Sequence, residues 1–349
     1  MSRPVPLPPV APPRLQVEYV EAATPDALLA RDDVLAVLGF GDAAPRDPDP
    51  RYLRVPLQPH GPAPFEVWHA SAPVQAGREP AAEAGAEIAW SCDGQLLFGA
   101  IEVDEPAGHT GDGDNSGIAL AAEAAYRALT RFVGASGYPH LLRVWNYLDA
   151  ITLGHGDAER YRRFCVGRAR GLGDFDAGAL PAATAIGRCD DARTIQVYWL
   201  AARTPGTPVE NPRQVSAYRY PREYGPQPPS FARAMLPPPG AQMPLLLSGT
   251  AAVVGHASCH DGELLAQLDE TFANFDALLD AARSRAAALP ARFGAGTRLK
   301  VYVRDAGDLP LVADALQSRF GNRVPRIVLH AAICRRELAI EIDGVHGAG

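Results

Sequence analysis

The chain repeats itself, and that repeat limits the possible folds more than any other feature. Arg188–Trp199 reads RCDDARTIQVYW and Ala331–Val345 reads AAICRRELAIEIDGV. Cys189 is followed seven residues later by Gln196, and Cys334 at the same interval by Glu341. Upstream, PAATAIG (Pro181–Gly187) matches VPRIVLHAA (Val324–Ala332), and HLLRVWNYLDAI (His140–Ile151) matches TRLKVYVRDAGDLP (Thr297–Pro310). Further upstream, EIAWSCDGQLLFGAIEV (Glu87–Val103) matches MPLLLSGTAAVVG (Met243–Gly255). Four segments matching in one order mark a duplication at a period of roughly 145–155 residues, far beyond a solenoid repeat.

Each copy reads strand, strand, helix, strand, helix, strand, strand. The helices of the first copy are expected at Ser116–Val133 and Asp157–Ala169, around a strand at Leu142–Tyr147. Those of the second are expected at Glu263–Ala288 and Leu309–Arg319, around a strand at Leu299–Val303. Leu265, Leu268, Phe272, Phe275 and Leu279 form an amphipathic stripe that reads as core. The predicted fold class is α+β: two fused units, each a mixed sheet with its helices on one face. Five regions follow. Residues 1–14 are a mobile proline-rich tail, and 15–86 an extension packed on the first unit. Residues 87–203 are a degenerate first unit, 204–230 a linker rich in Pro, Tyr and Arg, and 231–346 the second unit. Within the extension, Leu15–Tyr19, Arg51–Pro56 and Pro64–Ser71 read as strands and Ala27–Phe40 as a short helix or buried segment. The cleft is expected mainly between the second unit and the linker.

In the second copy Leu338, Ile340 and Ile342 alternate with Ala339, Glu341 and Asp343, the period of a strand. The apolar set faces a core. Glu341 then projects from the other face, either as a solvated surface acid or as a placed one; Glu is seldom buried without reason. The first copy carries Gln196 there, and that asymmetry points to function.

The 349 residues suffice for two or three domains, with 47% hydrophobic residues for a core. A net charge of −7 with no Lys/Arg block argues against a nucleic-acid surface. There is no apolar run of membrane-spanning length and no signal peptide, so a soluble cytoplasmic protein is expected. Five scattered cysteines without a CxxC pair indicate neither a disulfide framework nor zinc. His256 and His260 sit in a strand-like, glycine-flanked context that disfavours a helical ligand pair, and GDGDN (Gly111–Asn115) reads as a turn rather than a calcium loop. No metal or cofactor is expected, and there is no dinucleotide fingerprint, P-loop or GxSxG.

The repeat unit resembles the YjgF/Rid superfamily, whose trimers hold ligands between subunits; PPSFARAM followed by LLLSGTAAVVG is similar to its opening segment. At larger scale the chain resembles the chorismatases, including the bacterial hydroxybenzoate synthases. RVWNYLDAI, ERYRRFCVGR, LPAATAIG, ENPRQVSAYRYPREYGPQPPSFARA, SGTAAVVGHAS and CRRELAIEI carry that resemblance over most of the chain beyond about residue 85. It implies cleavage of chorismate to pyruvate and a ring product, begun by protonation of the enol ether, with Glu341 as the acid. The synthases resemble this chain in having Cys at the position of Cys334 and Gly near Gly249, where hydrolytic members have Ala at both. That implies 3-hydroxybenzoate, with 4-hydroxybenzoate as a further product. Gly249 is expected to open space against the ring, and the Cys334 thiol to assist aromatisation. Candidate partners for the two substrate carboxylates are Arg143, Tyr147, Arg162, Arg168, Tyr218, Arg219, Arg222 and Arg233. Alternatives stay open. One is a hydrolytic chorismatase releasing a dihydroxycyclohexadiene carboxylate. The other is a Rid-like imine deaminase or a non-catalytic ligand-binding protein, and Ile333 stands where a deaminase would place an arginine. Monomer and trimer are both compatible with the sequence.

Overall fold

The duplication is visible in the order of the strands. The computed structural model describes residues 12–107, 116–174 and 176–347; most of the proline-rich tail and the Gly111–Asn115 turn candidate lie outside them. The chain opens with β1 (Gln16–Val20), α1 (Pro25–Leu29), β2 (Val34–Phe40), β3 (Tyr52–Val55), β4 (Gln58–Pro59) and β5 (Phe65–His69). The first unit comprises β6 (Gln75–Ala81), β7 (Ala86–Cys92), β8 (Leu96–Asp104), α2 (Ser116–Ser136), β9 (His140–Asp149), α3 (Arg160–Leu172), β10 (Ala182–Arg188) and β11 (Thr194–Ala202). The second comprises β12 (Thr207–Val209), β13 (Ala234–Leu236), β14 (Leu245–Ala251), the hairpin β15 (Val253–Val254) and β16 (Ala257–Ser258), α4 (Leu264–Arg283), β17 (Thr297–Val303), α5 (Leu309–Phe320), β18 (Arg326–His330) and β19 (Ile340–His346).

The first sheet runs β6-β7-β8-β11-β9-β10 and the second β12-β13-β14-β19-β17-β18, with β4 added at its edge. Strand for strand the two orders are the same. Register makes the match residue-specific: Gln196 lies opposite Tyr147, as Glu341 lies opposite Tyr302. The fold is therefore α+β with a repeated unit. The first sheet begins at β6, whose QAGREPA sequence carries no apolar alternation. It is an exposed edge strand, and edges select polar residues.

The extension reaches both units. β1, β5, β2 and β3 form their own sheet. Ser91 of the first unit donates to Leu35 O, while Tyr19 donates to Leu299 O and β4 pairs with β18 of the second. No helix among the described residues is long and apolar enough to cross a membrane.

Both faces of each unit's sheet are buried. The outer faces carry the helices. Val144, Leu148, Val197 and Trp199 pack under α2 and α3, and Val301, Ile340 and Ile342 under α4 and α5. The predicted α4 stripe is buried from Leu268 to Leu279, but Leu265, in the first turn, stays exposed. The inner faces meet the extension in a central core of Trp68, Phe98, Trp145, Tyr198 and Tyr302, with Trp145 stacked on Tyr198 at 4.6 Å. Each such side chain contributes roughly 1.5–3 kcal/mol by leaving water. Ala339, Glu341 and Asp343 therefore project from a face that is interior, not solvated.

The units join along β10 and β14. Ser248 Oγ accepts from Ala183 N at 2.9 Å, Thr184 Oγ1 accepts from Gly249 N at 2.9 Å, and Gly187 and Ala332 exchange both backbone bonds. A cavity opens along this seam.

Candidate active site

The cavity holds about 400 Å³ and is walled by both units and the linker. The second unit supplies Arg233, Gly249, Cys334, Arg335 and Glu341; the linker supplies Gln214, Tyr220 and Tyr224. The opposite wall is the first unit's, with Thr184 and its neighbours on β10 and Tyr161, Arg162 and Arg168 on α3. This corrects the expectation of a cleft formed mainly by the second unit and the linker. The degenerate copy supplies one wall of the site, because the cavity opens along the seam where the two units meet.

Glu341 is 5% exposed. Its neighbours across the sheet are Ala251 and Tyr302. The β14–β19 register shifts between Leu247 and Thr250, a bulge that carries Gly249 beside the acid. A Cβ on Gly249 would collide with Glu341 Oε1. Glycine is required here for space, and the space belongs to the carboxyl. This differs from the sequence expectation, in which Gly249 makes room for the substrate's ring.

Burial pushes the Glu341 carboxyl up to about 8; the Asp343 charge adds to this, while Arg143, Arg233 and Arg335 oppose it. The group is thus neutral at pH 7, as a proton donor must be. Its hydrogen-bond contact is the Cys334 thiol, with Sγ 4.0 Å from Oε2. Burial, and then the neighbouring Glu341, push that thiol far above its ordinary range, so it rests as a thiol rather than a thiolate.

Five arginines, Arg162, Arg168, Arg233, Arg335 and Arg336, give the cavity its positive lining. Arg168 is 4% exposed, its guanidinium lies 5.2 Å from the Tyr126 ring centroid, and its Nε and Nη2 have no hydrogen-bond partner among the described residues. Arg233 donates through Nη2 to Val215 O and the Tyr220 hydroxyl, leaving Nε without a partner among the described residues. Arg335 donates to His256 O and Ser258 Oγ and stacks 4.1 Å from the Tyr224 ring. Unpartnered buried guanidinium hydrogens are costly unless a ligand takes them. The arrangement suits an anionic, partly apolar ligand beside a neutral acid.

The chain is similar to known proteins in both sequence and fold. Residues 66–201 match the family described as Chorismatase FkbO/Hyg5-like, N-terminal. A Streptomyces rapamycinicus protein named chorismatase is 35% identical over 288 residues, covering 80% of this chain and 81% of its own. A 3-hydroxybenzoate synthase of Streptomyces hygroscopicus is 34% identical, covering 80% of each chain. A chorismatase crystal structure superposes with a TM-score of 0.78 at 31% identity, covering 97% of this chain and all of the other. This chain belongs to the chorismatase family.

In this chorismatase Arg162, Arg168, Arg233, Gly249, Cys334 and Glu341 line one cavity, six of the residues singled out from sequence. The others fall elsewhere. Arg143 is fully buried behind the cavity wall, paired with Asp343 at 3.0 Å. Tyr147 is buried in a cluster with the Tyr198 and Tyr302 hydroxyls, because β9 turns its 143, 145 and 147 face into the central core. Arg222 is exposed and bridges to Asp157, while Arg219 is exposed with its guanidinium over the Tyr218 ring; none of the three lines the cavity. The proline-rich linker projects Tyr220 and Tyr224 inward instead. His256 contacts the Tyr224 hydroxyl and His260 contacts Glu270, and no metal-binding cluster occurs among the described residues.

Sequence reasoning missed Tyr161, Thr184 and Arg335. For Tyr161 a signal exists: it shares a helix face with Cys165 and Arg168 at intervals of four and three. Thr184 lies in an unremarkable apolar strand, and its role becomes apparent only once the second sheet is docked.

Proposed function

We propose that this protein cleaves chorismate to pyruvate and 3-hydroxybenzoate, with Glu341 as the acid. The reading rests on one observation above others: a carboxyl buried in the cavity and held neutral by its surroundings. Chorismate presents an enol ether, a hydroxyl and two carboxylates. Arg168 and Arg233 offer donors that have no partner among the described residues, and these suit the carboxylates. Glu341 protonates the terminal methylene carbon, which becomes the methyl group of pyruvate. The ring–oxygen bond breaks, and the ether oxygen leaves as pyruvate's keto oxygen. The neighbouring ring hydroxyl oxygen shifts to the vacated carbon, bonding there as its old C–O bond breaks. That carbon then loses its proton, which places the hydroxyl at position 3; without the shift, proton loss would give the 4-hydroxy isomer. The Glu341 carboxylate formed in the first step takes the ring proton, so the aromatic route balances without water. The Cys334 thiol, beside Oε2, steadies that carboxylate. The dihydroxy acid would instead need one water molecule.

The aromatic outcome is favoured by Cys334 and Gly249, the pair whose resemblance is to the synthases, and by a relative named for 3-hydroxybenzoate synthesis. Incubating purified protein with chorismate and separating the products tests both levels. Equal yields of pyruvate and 3-hydroxybenzoate are expected. Pyruvate accompanied only by a non-aromatic acid overturns the synthase reading, and absence of pyruvate overturns the whole.

A further inference from the structure

Behind Glu341 lies a buried charged network to which the proposed chemistry assigns nothing. Asp343, two residues along β19 and on the same face, is fully buried. Four donors converge on its Oδ2: Arg143 Nη2 at 3.0 Å, Trp145 Nε1 at 3.0 Å, Thr184 Oγ1 at 2.8 Å and the Tyr302 hydroxyl at 3.0 Å. Lys300 lies 3.9 Å from its Oδ1 and is bound on its other side by Glu66 at 3.2 Å. Arg143, Lys300, Asp343 and Glu66 thus form a set whose formal charges cancel. An ionised Glu341 would add a negative charge beside this already balanced set, which burial penalises more than the cavity arginines compensate.

Thr184 connects this set to the cavity. Its hydroxyl has one proton and two lone pairs. It donates to Asp343 and accepts from Arg143 and from Gly249 N. Gly249 N is the backbone of the bulge on which the Glu341 carboxyl sits. Without Asp343 the Thr184 proton has no fixed direction and the Arg143 charge no partner.

We propose that Asp343 is a positioning residue: through Thr184 it fixes the Gly249 backbone against which the Glu341 carboxyl is seated, and it occupies the Arg143 guanidinium that would otherwise draw that carboxyl into its ionised form. The inference rests on the reading of Glu341 as the acid. The other groups facing that carboxyl are Arg233, just before β13, Arg335 and Cys334 from the loop before β19, and Tyr161 from α3. None of these makes a hydrogen bond to Asp343 or Thr184 among the described residues.

The test follows Glu341 itself, by carbon-13 NMR of protein labelled at glutamate carboxyls, its signal assigned by loss in Glu341→Gln. Asp343→Asn leaves Arg143 unpaired and is expected to move the Glu341 titration down by about one pH unit or more; Arg143→Gln leaves Asp343 unpaired and is expected to move it up. The alkaline limb of turnover should shift with each. A merely structural role would move both the same way or neither, and that result overturns the proposal. Thr184→Val, which changes no charge, should lower turnover about tenfold with the limb unmoved, and Thr184→Ser should restore it. If the charge variants do not fold, this contrast decides alone, and equal turnover of the valine and serine variants overturns the proposal. An active Glu341→Gln sinks the functional reading. An inactive one combined with an unmoved titration in Asp343→Asn sinks only this inference.

Discussion

The two units place different chemistry on the same strand. On β19 the inward residues are Glu341 and Asp343; on β11 they are Gln196 and Tyr198, at matching register. Gln196 is fully buried, but its amide donates to Arg54 O and to Glu102, so the extension's β3 covers the place where a cavity would open. The β8–β11 ladder runs without interruption, whereas β14–β19 carries the bulge that brings Gly249 beside Glu341. The comparison teaches that an acid at the right register is not enough. The site also needs a break in the neighbouring strand to seat the carboxyl, and an inner face left uncovered.

The largest expected effect breaks that comparison outright. Glu341→Gln makes the two units alike at this position and should lower pyruvate release about 10²–10⁴-fold. Adding Gln196→Glu should restore nothing, since that side chain lies under β3; recovery of pyruvate release in the double variant would show that position, not surroundings, makes the acid.

Stability against pH comes next. The Glu341 carboxyl stays protonated in the folded chain up to about 8 against 4.5 when unfolded. Between these values the folded state holds a proton that the unfolded state has lost, so stability falls as pH rises through that window. The loss approaches about 5 kcal/mol at its upper end. Glu341→Gln removes it, and denaturant unfolding should show the variant more stable than the parent at pH 9 and no more stable at pH 4. The reverse order would mean that the carboxyl is solvated.

Gly249→Ala sharpens the role of the bulge. Its methyl must displace Oε1, the free end of a flexible side chain, so folding should survive while turnover falls about tenfold. Unchanged turnover would show that the seat is loose. The smallest effect expected is from Cys334→Ala, which should leave chorismate consumption near the parent's and reduce the hydroxybenzoate-to-pyruvate ratio a few-fold, read by chromatography. An unchanged ratio would make Cys334 a packing residue.

Much of this was readable in advance. Duplication, unit order and the alternation around Glu341 depend on local periodicity, which sequence records directly. The destination of the opposite face does not. Arg143, Trp145 and Tyr147 share one face of β9 by simple alternation, yet whether that face meets solvent, ligand or a second sheet depends on residues about 200 positions away. Arg143 therefore read as a ligand contact and lies instead in the interior, paired with Asp343. Arginines in the linker were harder still, because irregular backbone has no period: Arg219 and Arg222 point outward while Tyr220 and Tyr224 between and beyond them point in.

The position of β19 also bears on how the chain reaches this state. β19 lies between β14 and β17, both made earlier in the chain, so on emergence from a ribosome these two expose unpaired edges until residues 340–346 arrive. Lys300 and Glu66 are likewise 234 positions apart. Pairings of such separation must pay loop closure before they are rewarded, which slows folding and lengthens the time that strand edges can recruit other chains. Soluble yield should therefore depend on chaperone supply more than on the thermodynamic stability of the finished fold.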